Sequence, residues 1–231
     1  MSLLDKPSEA FSEPLKTVLK NLCIVIAFGI AFGYIEAAVV VYLREIFHPE
    51  GFTFPMKVFG AGPRAERILL TEIGREVATI VLILTGAWLF GRNRRQRVAY
   101  FLTIFAVWDI FYYVWLKVLL DWPASIMDWD ILFLIPAVWA SPVLYPVLIS
   151  ITMLAFAVVL LLRRSDAGVI KVTWPDGLAF CVSGVIVVTS FCIAGLHIIK
   201  QDFALHFYRS LFAAGYVLAV AVFVKCLLKS R

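Results

Sequence analysis

LCIVIAFGIAFGYIEAAVVVYL, residues 22–43, holds a single charged side chain, Glu36, in an otherwise apolar run. An α-helix needs about 20 predominantly apolar residues to cross a bilayer core, so this run predicts a first membrane span. It is too long for the apolar core of a cleaved signal peptide. The lead before it also contains Asp5, Glu9 and Glu13, which such a signal avoids.

The rest of the chain repeats the pattern. The sequence is 62% hydrophobic and 16% charged, and its mean hydropathy is +0.93. Soluble domains are nearer half apolar and a quarter charged. The runs predict an all-α, polytopic membrane helix bundle of six transmembrane helices, at about 22–43, 69–91, 98–120, 142–162, 177–199 and 203–224. Residues 1–21 read as a cytoplasmic lead, 22–228 as one transmembrane domain and 229–231 as a cytoplasmic tail. Pro63 suits the first turn of the second helix, where its missing N–H costs nothing. The preceding GAGP, residues 60–63, reads as a turn. With no strand before it and no Lys-Ser/Thr pair after it, it is not a phosphate loop.

Residues 121–141 resist this reading. Pro136, Pro142 and Pro146 cannot share one regular helix without kinks. The expectation is a short proline-flanked helix near 129–140, interfacial or re-entrant, ahead of the fourth span. One kinked span over 130–150 is disfavoured because it strands the apolar residues 151–162 beyond the membrane.

Basic residues set the orientation, since Lys and Arg favour short cytoplasmic loops. With both termini inside, the inner segments hold 13 of the 21 basic residues and five of the 16 acids. The expected location is therefore the inner (plasma) membrane, N-in and C-in. This topology also accounts for the net charge of +5, and no basic stripe interleaved with aromatics points to nucleic acid. Expected partners are the lipid bilayer and either further copies of the chain or a larger membrane complex. Cys23, Cys181, Cys192 and Cys226 form no CxxC pair and read as buried thiols.

Charge inside spans marks the functional residues. A charged side chain at the bilayer centre costs about 3 kcal/mol on insertion scales. Here Glu36, Glu72, Arg75, Glu76 and Asp109 lie within spans. Lys117 is near the outer end of the third, and Asp130 opens the proline-rich segment. His197 ends the fifth span, and Arg209 lies early in the sixth. On the expected topology they share the middle and outer half of the membrane, as the lining of one outward-facing polar site would. Glu72 and Glu76 lie four apart on one helix face, with Thr79 and Gly86 continuing the stripe. Asp109, Tyr113 and Lys117 share another face. Gly29, Gly33 and Ala37 form a small-residue ridge for close helix contact, and Glu36 borders it.

Glu36, Glu72, Glu76 and Asp109 are the expected acidic core, with Arg75 and Lys117 as tuning cations. Tyr113 and Asp130 belong to the rim, and His197 and Arg209 are further contributors. Binding or passage of a cation or small polar solute is the favoured function. A metal-dependent membrane enzyme, with Glu72, Glu76 and Asp109 as candidate ligands, is one alternative. A structural subunit held by an ion-pair network is the other. No HExxH or GxSxG motif decides for catalysis, and no cofactor is assigned. A haem between His197 and His206 is disfavoured, because they flank one short surface turn.

Overall fold

A computed structural model describes residues 15–56, 62–162 and 172–229. The expected lead up to residue 14, the first half of the GAGP turn, most of the loop before the fifth span and the last two residues lie outside them. Among the described residues the chain forms α1 (Leu15–Phe47), α2 (Pro63–Phe90), α3 (Arg94–Leu120), β1 (Trp129–Phe133), β2 (Trp139–Pro142), α4 (Leu144–Leu162), α5 (Trp174–Gly195) and α6 (Arg209–Leu228). A 3-10 turn, Phe203–His206, precedes α6.

The expected all-α bundle is there. Five segments are long and apolar enough to cross a membrane: Leu15–Phe47, Arg94–Leu120, Leu144–Leu162, Trp174–Gly195 and Phe203–Leu228. α2 is as long, but its first half carries Arg64, Glu66, Arg67, Glu72, Arg75 and Glu76. Large apolar side chains stand exposed on all six helices, among them Leu89 (83%), Val118 (67%) and Val185 (66%). A water-soluble protein would bury or break up such a surface, whereas lipid is a favourable solvent for it.

Local signals explain the helix ends. The Asn93 side chain accepts the Gln96 N–H at 2.9 Å and caps α3. Asp121 closes that helix with φ 53°. Thr173 and Asp176 form a capping box at the start of α5, and Asp176 also accepts a 2.7 Å bond from Lys225 of α6.

The small-residue ridge of α1 lies against α3. A Cβ at Gly33 would stand 2.9 Å from the Trp108 carbonyl oxygen, and one at Gly29 would stand 2.8 Å from the Val107 side chain. Ala37 is fully buried. α3 is thus the central helix, packed on α1, α2 and α4, while α5 packs on α6 and on β2.

The segment near 129–140 is not a helix. It is an antiparallel hairpin that pairs Trp129 with Pro142, Asp130 with Ser141, Ile131 with Ala140 and Phe133 with Trp139, with an irregularity between Ile131 and Phe133. Two features oppose a helix. Pro136 has no N–H and pushes Ile135 towards extended backbone. Trp129, Ile131 and Phe133 are residues that favour a pleated surface. The hairpin still satisfies backbone groups internally, which irregular chain beside a membrane bundle requires. Its turn presses on α5, where a Cβ at Gly195 would overlap the Val138 carbonyl. α5 ends there, short of the expected 199. Residues 196–208, with Lys200, Gln201 and Asp202 at the surface, then take a longer path than the expected tight turn.

Candidate ligand-binding cavity

α2 turns one stripe inward: Glu72 and Arg75 half-buried, then Glu76, Thr79, Ile83 and Gly86 buried. α1 answers with Glu36, Val40 and Arg44, four residues apart on one face. α3 contributes Asp109, Tyr112 and Tyr113. The hairpin closes over these helices, with Asp130 only 2% exposed.

The charges are tied together across elements. Arg75 donates from its Nη1 to Glu36 of α1, and its Nε donates to Glu72 at 2.8 Å. Thr79 Oγ1 donates to the other oxygen of Glu36 at 3.4 Å. Arg44 donates to Asp130 Oδ1 at 3.2 Å, and the Tyr112 hydroxyl donates to Oδ2 at 3.1 Å. The Arg44 guanidinium also sits 4.0 Å from the Phe52 ring centroid and 3.9 Å from that of Trp122, a cation–π clamp at the end of α1. Burial pushes the Asp130 carboxyl up to about 6, although Arg44 and the Tyr112 hydroxyl pull the other way.

Two carboxylates have different partners. Both oxygens of Glu76 accept the Leu134 N–H of the hairpin, at 3.0 and 2.9 Å. Asp109 Oδ2 accepts the Ser150 hydroxyl of α4 at 2.7 Å.

These groups line a cavity of about 590 Å³, within the usual size of small-molecule sites. Its wall includes six carboxylates (Glu36, Glu66, Glu72, Glu76, Asp109 and Asp130) and two arginines, Arg44 and Arg75. Of the expected site residues, Glu36, Glu72, Arg75, Glu76, Asp109, Tyr113 and Asp130 meet here. Thr79 lies just beneath, bonded to Glu36.

Three expected contributors lie elsewhere. Lys117 sits at the exposed end of α3, 2.7 Å from the Asp121 carboxylate. It tunes no member of the cluster, because its long side chain reaches solvent one turn beyond Tyr113. Arg209 is exposed at the start of α6. His197 hydrogen-bonds the Ile193 carbonyl through Nδ1 at 2.8 Å and stacks on His206, with ring centroids 3.7 Å apart and planes 11° apart. That stacking leaves no space for a haem between the rings. Glu72, Glu76 and Asp109 do not converge as ligands either. Among the described residues no group of three or more His, Cys, Asp or Glu side chains is placed to hold a metal ion.

Arg44, Tyr112 and Ser150 are not legible as site residues in the sequence. Arg44 follows the expected first span directly and reads as a loop charge. The four-residue spacing of Glu36, Val40 and Arg44 is the signal that could have found it.

Beneath the cluster, between α1, α2 and α3, the helices are closed. Val25, Ile83, Tyr100 and Ile104 are fully buried in one apolar core. A Cβ at Gly86 would already stand 3.2 Å from Ile104. The stripe through Thr79 and Gly86 therefore ends in packed side chains and gives no continuous polar path.

No family model matches the chain, and neither a curated protein nor a solved structure does.

Proposed function

We propose that the chain is a six-span protein of the inner (plasma) membrane, with both termini cytoplasmic, and that its cavity opens outward and binds a cation or small cationic solute. The observation that carries this reading is the imbalance of the wall. Among the described residues six carboxylates face two arginines, and each arginine is engaged by carboxylates on its own side of the cavity. Glu76 and Asp109, bonded to neutral donors, are the groups that would take the ligand's positive charge. Such intramembrane carboxylates mark ion and solute sites in general. The apolar plug below Thr79 favours binding over open passage, so transport would require α2 and α3 to separate.

A specific observation favours a second reading. The ion pairs and hydrogen bonds link α1 to α2, α1 to the hairpin, α2 to the hairpin and α3 to α4, as the scaffold of a structural subunit would. The cavity opposes it, because a purely structural network gains from being filled.

Calorimetric titration of the protein in lipid nanodiscs with sodium, potassium and ethylammonium chlorides separates the two, run beside a Glu76→Gln/Asp109→Asn variant. Saturable binding by the parent, lost in a variant that still melts cooperatively, is expected. No binding by the parent, with a lower melting temperature in the variant, would leave the structural reading.

A further inference from the structure

The cavity has two chemically different halves. Its charged half lies towards the hairpin. Its other half runs deeper between α3, α4 and α5 and is walled by Phe101, Phe105, Met153, Gly184, Val187 and Val188. Eight residues separate Phe101 from Asp109 on α3, about 12 Å of depth at 1.5 Å per residue. Of these six residues, Gly184 is exposed and the other five are half-buried, so they keep apolar surface for a ligand. α5 packs on α6 and β2, while α3 packs on α4. α5 meets the α3–α4 pair through side chains such as Phe191 and Tyr145, less closely than α3 meets α4.

Gly184 bears on this directly. It lines the cavity, and a Cβ built there meets nothing within 4 Å, so its missing side chain leaves open space and not a close helix approach. Between the two halves lie two tryptophans, each in ring contact with Phe133. The indole N–H groups of Trp108 and Trp139 are buried and have no acceptor among the described residues. A buried donor left without a partner carries a desolvation cost, which a ligand acceptor at that level would remove.

We infer that the cavity takes an amphiphile, with an ammonium-bearing head at Glu76 and Asp109, a hydrogen-bond acceptor beside Trp108 and Trp139, and an apolar chain lying along Phe105, Val187 and Gly184. This inference rests on the cation-binding reading above and names its ligand class. The head finds the surplus carboxylates, and the chain finds a wall that a hydrated inorganic cation would leave wet. Entry is lateral, through the seam beside α5, so a membrane-dissolved ligand need not leave the bilayer.

The test uses the full chain in nanodiscs and water-soluble probes: ethyl-, butyl- and hexylammonium chlorides, with hexanol as the uncharged control and empty nanodiscs subtracted. Affinity should rise with chain length by roughly fourfold per buried methylene, and hexanol should bind far more weakly than hexylammonium. Gly184→Leu, which fills the deep half without a steric clash at Cβ, should remove the chain-length gain and leave ethylammonium binding unchanged. Equal affinity for ethyl- and hexylammonium would overturn the amphiphile while sparing the cation site. Hexanol binding as tightly as hexylammonium would show that the head is not recognised and would overturn it as well. Absence of any ammonium binding would sink both readings together. A Gly184→Leu protein that retains the full chain-length gain would place the chain elsewhere and reject the proposed seat.

Discussion

Both carboxylate oxygens of Glu76 converge on one backbone donor, the Leu134 N–H, at 3.0 and 2.9 Å. A single side chain of α2 thereby holds the turn end of the hairpin over the cavity. Glu76→Ala removes the acceptor from a part-buried amide and should lower stability by about 1–3 kcal/mol. Glu76→Gln keeps one acceptor oxygen and should recover most of that loss. Thermal melting of the three proteins in the same nanodiscs measures the effect. Equal melting of the alanine and glutamine variants would mean that the amide bond contributes nothing.

The bridge from Arg75 to Glu36 and Glu72 joins α2 to α1 at the cavity wall. Arg75→Met strands Glu36, which is only 9% exposed. Breaking a buried pair from one side costs about 3–5 kcal/mol, whereas replacing both partners costs much less. Arg75→Met should therefore destabilise strongly, and Arg75→Met/Glu36→Gln should melt above the single variant. Additive losses in this double-mutant cycle would refute a coupled pair.

Glycines should divide by the space around them. Gly33→Ala puts a Cβ 2.9 Å from the Trp108 carbonyl and forces α1 away from α3. The expected loss is about 1–3 kcal/mol, as for other overpacked sites. Gly74→Ala on α2 meets nothing within 4 Å. It should be neutral or stabilise by up to about 1 kcal/mol through helix propensity. Melting curves of the two variants check the contrast, and similar losses at both positions would contradict it.

These contacts also mark what the sequence can and cannot convey. Apolar run length delivers the helices, because bilayer thickness imposes it one segment at a time. Helical spacing delivers the α2 stripe from Glu72 to Gly86 and the ridge of Gly29 and Gly33, because both are properties of one helix. The hairpin is hard to read because its apolar composition hides a period of two behind a set of prolines. Arg44 and Ser150 escape notice because their roles depend on Asp130 and Asp109, 86 and 41 residues away. Lys117 looks like a site residue from spacing alone, but spacing does not say that a long side chain turns outward to Asp121.

Burial of Asp130 should give the fold a pH dependence. Its carboxyl is raised to about 6 by burial in the hairpin, above the ordinary value of about 3.9 in an unfolded chain. Between those values the folded protein holds a proton that the unfolded chain has released. Stability from this group is complete below about pH 4 and is lost as pH rises through about 6. The loss is on the order of 3 kcal/mol, because each tenfold change in proton affinity corresponds to about 1.4 kcal/mol. Asp130→Asn cannot titrate and, like the protonated carboxyl, is neutral beside Arg44, so it should melt close to the parent near pH 4. The parent should then fall below the variant as pH rises through about 6. Melting both proteins in nanodiscs across that range tests the sign. A parent that gains on the variant as pH rises would mean that Arg44 outweighs burial and keeps Asp130 ionised throughout.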